Sequence, residues 1–161
     1  MMDTEAMTPA RVVETYKPDI LKLAAYIPWF MQKKGQQAAV NYGQDGIATH
    51  SVSFPVYDSN LLRFVKDAEN TIFIDPNYRY VYARYHIRNT QDELSLIQKA
   101  GIGQMNVLGG ILSNYVLGGR VKGTLWSRAA QDGVFLAILT KAKELIEFWE
   151  SEKADTGEKN E

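Results

Sequence analysis

The chain has 161 residues, of which 45% are apolar and 23% charged, with a formal net charge of −1. That suits one globular domain able to bury a core, and it supplies no basic field for nucleic acid or anionic lipid. There is no cysteine, which excludes disulfides and thiolate chemistry and fits a reducing compartment.

The opening "MMDTEAMTPARVV" is acidic and has no apolar run, so it does not read as a signal peptide. No stretch approaches the roughly 20 apolar residues of a membrane span, and the expected location is the cytoplasm. Thr8-Pro9 reads as an N-cap followed by proline at the first helical position. That helix is expected to stop near Tyr16, with Pro18 forcing a new start. The next, "PDILKLAAYI", puts Ile20, Leu21, Leu23, Ala24 and Ile27 on one face, and Pro28 kinks or ends it. "QKKGQQ" then leaves the helix.

Residues 40–57 are rich in Gly, Asn and Asp and carry no firm periodicity. "ATHSVSFPVY" within them suits an edge strand, the one place where Pro55 is tolerated. Asp58 or Ser59 caps a helix carrying Leu61, Leu62, Phe64 and Val65. "TIFIDPNY" ends in the turn signal Asp75-Pro76-Asn77. "NYRYVYARYHIR" reads either as a strand or as a helix, since Tyr78, Val81, Tyr82 and Tyr85 align at helical spacing. Helix is favoured because strand partners are few.

Thr90 with Glu93 spells a capping box, opening a helix that ends at Ala100 before Gly101. "GQMNVLGGILSNYVLGG" is the next helix, with a stripe of Met105, Leu108, Ile111, Leu112 and Tyr115. Its Gly109-Gly110 pair costs about 1 kcal/mol per residue relative to Ala, and points to a close crossing or a kink. "VLGG" occurs twice, nine residues apart. That is two and a half helical turns, so the copies face opposite sides and form no repeat. "TLWSRAAQD" is followed by "VFLAILTKAKELIEFW", whose face is Val134, Phe135, Ile138, Leu139, Ala142, Leu145, Ile146 and Trp149. The tail 151–161, "SEKADTGEKNE", is expected to be disordered.

Between the last elements lies "LGGRVKGTLW". A phosphate loop needs converging backbone N–H groups, a cation and a helix start, and this stretch offers Arg120, Lys122 and Thr124. It does not match G-x-x-x-x-G-K-[ST]. Helix punctuation explains it more simply: Gly118 or Gly119 as a left-handed C-cap, Gly123 in the turn, Thr124 as the next N-cap, and Arg120 paired with a carboxylate or with helix-end carbonyls.

Leu125 to Ala142 has the spacing of a helix-turn-helix, but its second helix opens Phe135-Leu136-Ala137-Ile138, which suits a core and not base edges. The Tyr78–Arg88 stretch has the composition of a stacking platform for bases, of a partner interface or of an ordinary half-buried element. Without net positive charge, nucleic acid is the weakest of the three. His50 and His86 lack a second ligand at helical spacing, so no metal site is expected. Asp45, Asp58 and Asp75 fall in loops, and Ser53, Ser59 and Ser127 lack a nucleophile-elbow context. No catalytic residue and no cofactor is assigned.

"YVLGGRVKGTLWSRAAQDGVFLAILTKAKEL" resembles the C-terminal signature of a family of small bacterial and phage-associated domains of unknown function. The matching positions are Gly119, Arg120, Gly123, Leu125, Ala130, Gly133, Leu136 and Leu139. The family pattern often has an acidic residue before the arginine and phenylalanine after it, where this chain has Gly119 and Val121. The resemblance implies no activity, and it implies a fixed structural setting for Arg120.

The expectation is therefore a mainly α protein, an irregular bundle of six or seven helices in one domain over 1–150. A short β-hairpin fits at 40–57 or 71–88. The favoured function is a non-enzymatic binding or accessory module that meets another protein, or a second copy of itself, through Tyr82, Arg84, Tyr85 and Arg88. The competing reading is a small-anion or nucleotide-phosphate binder, with or without enzymatic activity, built on Arg120, Lys122 and Thr124.

Overall fold

The computed structural model describes the backbone of residues 3–35, 39–41 and 55–160, and side chains within 3–35 and 58–153. It is mainly α, with eight α-helices among the described residues where six or seven were expected. His50, Asp45 and Ser53 lie outside the described residues.

Helix α1 (Pro9–Ala24) opens as expected, with the Thr8 side chain accepting from Arg11 N–H at 3.2 Å. It does not stop at Pro18. A helix-interior proline costs about 3 kcal/mol, but Val12, Val13, Tyr16, Ile20 and Leu23 are all buried on one stripe. Breaking the helix would put the two halves of that stripe out of phase. Pro28 sits in the first turn of α2 (Ile27–Lys33), where its missing N–H is harmless. Gly35, just after α2, adopts φ +81°.

Ala39–Asn41 (β1) pairs antiparallel with Pro55–Tyr57 (β2), Val40 facing Val56. These strands stand at the ends of the hairpin expected over 40–57. The alternative over 71–88 is instead a run of turns followed by a helix. Asp58 caps α3 (Ser59–Glu69), accepting from Asn60 N–H at 2.7 Å.

Helix α4 (Arg79–Arg84) is the expected helix, but it ends after six residues. Ile87 N–H donates to Tyr82 O at 3.0 Å and His86 N–H to Ala83 O at 3.4 Å, the paired bonds of a Schellman stop. The residue in the left-handed position is His86, at φ 55°, where glycine is favoured. His86→Gly is therefore expected to raise the free energy of unfolding by roughly 1 kcal/mol. A higher urea midpoint at unchanged m-value would show it.

α5 (Thr90–Lys99) is capped one residue earlier than expected. Asn89 is the N-cap, accepting from Asp92 N–H at 2.8 Å, and Glu93 turns inward. α6 (Met105–Gly118) is buried on nearly every side from Met105 to Val116 and forms the centre of the fold. Its buried start is capped by a residue far away in the chain. Asn106 N–H donates to Thr4 Oγ1 at 3.1 Å, and that hydroxyl lies 2.7 Å from Gly103 O.

The glycine pair is explained by close approach. A Cβ on Gly109 would stand 2.7 Å from Phe73 O, and one on Gly110 would stand 2.7 Å from Val81 Cγ2 of α4. α7 (Leu125–Gln131) leads through Gly133, at φ +81°, into α8 (Val134–Asn160). α8 packs along α1 and α5 and buries Val134, Phe135, Ile138, Leu139, Ala142 and Ile146. Phe30, Phe64 and Phe135 interlock at centroid separations of 4.8 to 5.6 Å, tying α2, α3 and α8 together. Helix α8 runs to Asn160, across the stretch 151–161 read as a tail.

Candidate functional site

The bend at 118–124 spends its amides locally. Gly119 N–H donates to Tyr115 O, Arg120 N–H to Leu117 O, and both Val121 and Lys122 N–H to Gly118 O. These donors point back along α6, so they do not converge on a solute. Gly119 is right-handed, at φ −66°, in place of the expected left-handed cap. Its missing Cβ makes room for the Trp126 indole, whose Nε1 donates to Val116 O at 3.1 Å. Thr124 occupies the N-cap of α7, yet its side chain makes no capping bond. Arg120 Nη2 meets Glu69 Oε1 of α3 at 2.9 Å, a carboxylate being one of the two kinds of partner expected for it, while Lys122 and Thr124 are exposed.

The helix-turn-helix spacing over 125–142 is likewise structural. The second helix buries Phe135 and Ile138 completely, and a buried face reads no bases. Ser127 donates to Thr124 O at 3.0 Å, within its own helix.

The Tyr78–Arg88 segment divides into two sites. Its first half lines an open groove of about 650 Å³, formed with Asp3, Pro76, Asn77 and Asn106. The segment's own side chains there are Tyr78, Arg79, Tyr80 and Arg84. Tyr80 is 53% exposed. Arg79 has no ion pair among the described residues. Arg84 pairs with Glu5 at 3.2 Å, and Tyr85 OH donates to the other Glu5 oxygen at 2.9 Å. These two residues therefore hold the N-terminal segment in place, and Tyr85 is not among the groove residues. Tyr82 and Arg88 turn to the other side of α4, into a smaller hollow of about 360 Å³ shared with α5, α6 and α7.

At the base of that hollow Glu93 accepts from two phenols, Tyr82 OH at Oε2 and Tyr115 OH at Oε1, each 2.5 Å away. Glu93 is only 4% exposed. Sequence reasoning assigned it to a helix cap and missed this role. One signal was present: Glu93, Ile97 and Ala100 stand at i, i+4 and i+7, the buried stripe of α5. Arg120, Lys122 and Thr124 line neither the groove nor the hollow.

Burial, reinforced by the Glu93 charge, pushes the Tyr82 and Tyr115 phenols well above their ordinary range. Burial and Asp75 raise Tyr16 to about 12, and burial with the Asp67 hydrogen bond raises Tyr26 to about 12. A raised tyrosine keeps its proton longer folded than unfolded. Its contribution is present in full below pH 10 and is lost as pH rises through the folded value. Between about pH 10 and 12, tyrosinate absorbance is expected to appear together with loss of helical circular dichroism. Ionisation of every tyrosine, Tyr16, Tyr82 and Tyr115 included, without loss of helix would contradict this.

Among the described residues no cluster of His, Asp and Glu is placed to hold a metal ion, and His86 stands exposed in its turn. No helix there is long and apolar enough to cross a membrane. Comparison with family models, with curated proteins and with solved structures finds no match.

Proposed function

We propose that this chain is a non-enzymatic binding or accessory module that takes a segment of a partner protein, or of a second copy, into the groove beside α4. The observation that carries this is the groove itself, rimmed by a half-exposed Tyr80 and by Arg79, which has no ion pair among the described residues. Tyrosine and arginine are the side chains that most often anchor interfaces, giving large contact area at small entropic cost. Arg79 favours an acidic or aromatic stretch on the partner. On this reading Arg84 and Tyr85 support the groove by fixing the N-terminal segment, and Tyr82 holds α4 from behind through Glu93. The compartment proposed is the cytoplasm, in keeping with a chain without cysteine. The likeness of residues 115–149 to bacterial and phage-associated domains extends the proposal to an accessory role in such a setting.

The competing idea, a small anion or nucleotide phosphate at 118–124, would rest on side chains alone, because the amides of residues 119–122 are occupied. No specific observation favours it.

The test is a photo-reactive benzophenone side chain placed at position 80 in cells, with the same group at the exposed positions 31 and 148 as controls. A discrete adduct specific to position 80, weakened by Arg79→Glu, supports the reading. The same adducts from all three positions, or none, would overturn it.

A further inference from the structure

The hollow behind α4 has a charge arrangement of which the fold itself uses only part. Glu93 sits at its base with no cation within 4 Å among the described residues. Two phenols satisfy one acceptor site on each of its oxygens, and a carboxylate offers about four such sites. A buried carboxylate left without a cation is costly unless hydrogen bonds or a ligand complete it. At the rim are Arg88, from the turn after α4, and Arg128, from α7. Neither is in an ion pair among the described residues, and both are exposed. Asn114 and Thr90 line the same hollow beside the Tyr82 and Tyr115 phenols.

An anion-seeking rim and a donor-seeking base thus share one small, mostly polar hollow. A plain anion would use only the arginines, and a plain amine only Glu93. We propose that the hollow binds a small amino- or hydroxy-carboxylate, its carboxylate held by Arg88 and Arg128 and its ammonium or hydroxyl donating to Glu93. The volume, about 360 Å³, lies at the small end of ligand sites. Two parallel N–H donors on each guanidinium suit a carboxylate better than a spherical ion. None of these residues lines the partner groove, so the proposal stands or falls separately from that reading.

The experiment follows the backbone amide resonances of Thr90 and Asn114 while the full chain is titrated with the twenty L-amino acids, lactate and malate. Acetate and methylammonium serve as one-ended controls. At least one two-ended probe is expected to give saturable shifts about tenfold tighter or more than acetate, the increment a charge-assisted hydrogen bond carries. Arg128→Ala and Arg88→Ala, both at exposed positions, are each expected to weaken it about tenfold, while Arg79→Glu in the groove leaves it unchanged. Three results would overturn the proposal: no saturable shift from any probe, acetate binding as well as the best of them, or full binding retained in Arg128→Ala.

Discussion

Glu93→Ala is expected to lower the free energy of unfolding by about 3 kcal/mol, the largest loss from any single polar side chain here. The carboxylate joins three helices, because it stands on α5 and accepts from Tyr82 of α4 and Tyr115 of α6. Removing it leaves two phenol donors facing a space once filled by an acceptor, and Tyr115 is only 6% exposed. Each unsatisfied buried donor costs about 1–3 kcal/mol, and the vacated volume adds a packing term. Urea denaturation should show a large drop in midpoint with the m-value retained. The triple variant with Tyr82→Phe and Tyr115→Phe should lose less than the sum of the separate changes, since the orphaned donors are gone. A loss under about 1 kcal/mol in Glu93→Ala would mean that water entering the hollow replaces the carboxylate.

Gly109→Ala carries the second large effect, and its sign is the informative part. Were this glycine a mere weak point in α6, alanine would stabilise the helix by about 1 kcal/mol. The added Cβ would instead stand 2.7 Å from Phe73 O, a main-chain atom with no rotamer to change. The same turns are tied to α6 by Ser113, whose Oγ accepts Asp75 N–H at 2.9 Å and stands 2.7 Å from Gly109 O and 3.2 Å from Phe73 O. Relieving the clash means moving the 71–78 turns off α6, so a net loss of about 2–3 kcal/mol is expected in the same denaturation measurement. Gly110→Ala provides the contrast. Its obstacle is the Val81 side chain, so pairing it with Val81→Ala should recover part of the loss, whereas no side-chain truncation rescues Gly109→Ala.

Much of the helical framework was readable along the chain, because the signals for it act within a turn or two. Thr8-Pro9 and Asp58 open helices where their chemistry requires. The apolar face of α8 from Val134 to Ile146 is the one its spacing dictates. The glycine pair of α6 marked a close approach, although not what approaches it. The Arg120 bend read as a reversal with the arginine held by a carboxylate or by helix-end carbonyls, and the partner is the Glu69 carboxylate; its glycines were misjudged, since Gly119 yields space to Trp126 and adopts no left-handed turn.

What the sequence determined by itself was therefore the fold class, most helix starts and the principal buried faces, all set by neighbours three or four positions away. The tertiary structure alone decided that α1 continues through Pro18, that Thr4 caps a helix about a hundred residues on, and that Glu93 abandons its cap for two tyrosines. Each of those choices is settled by a partner distant in the chain. The buried stripe of α1, the donors at the start of α6 and the phenols of α4 and α6 are brought within reach only by packing. The cost of leaving such groups unburied or unbonded exceeds the local preference that a single stretch of sequence expresses.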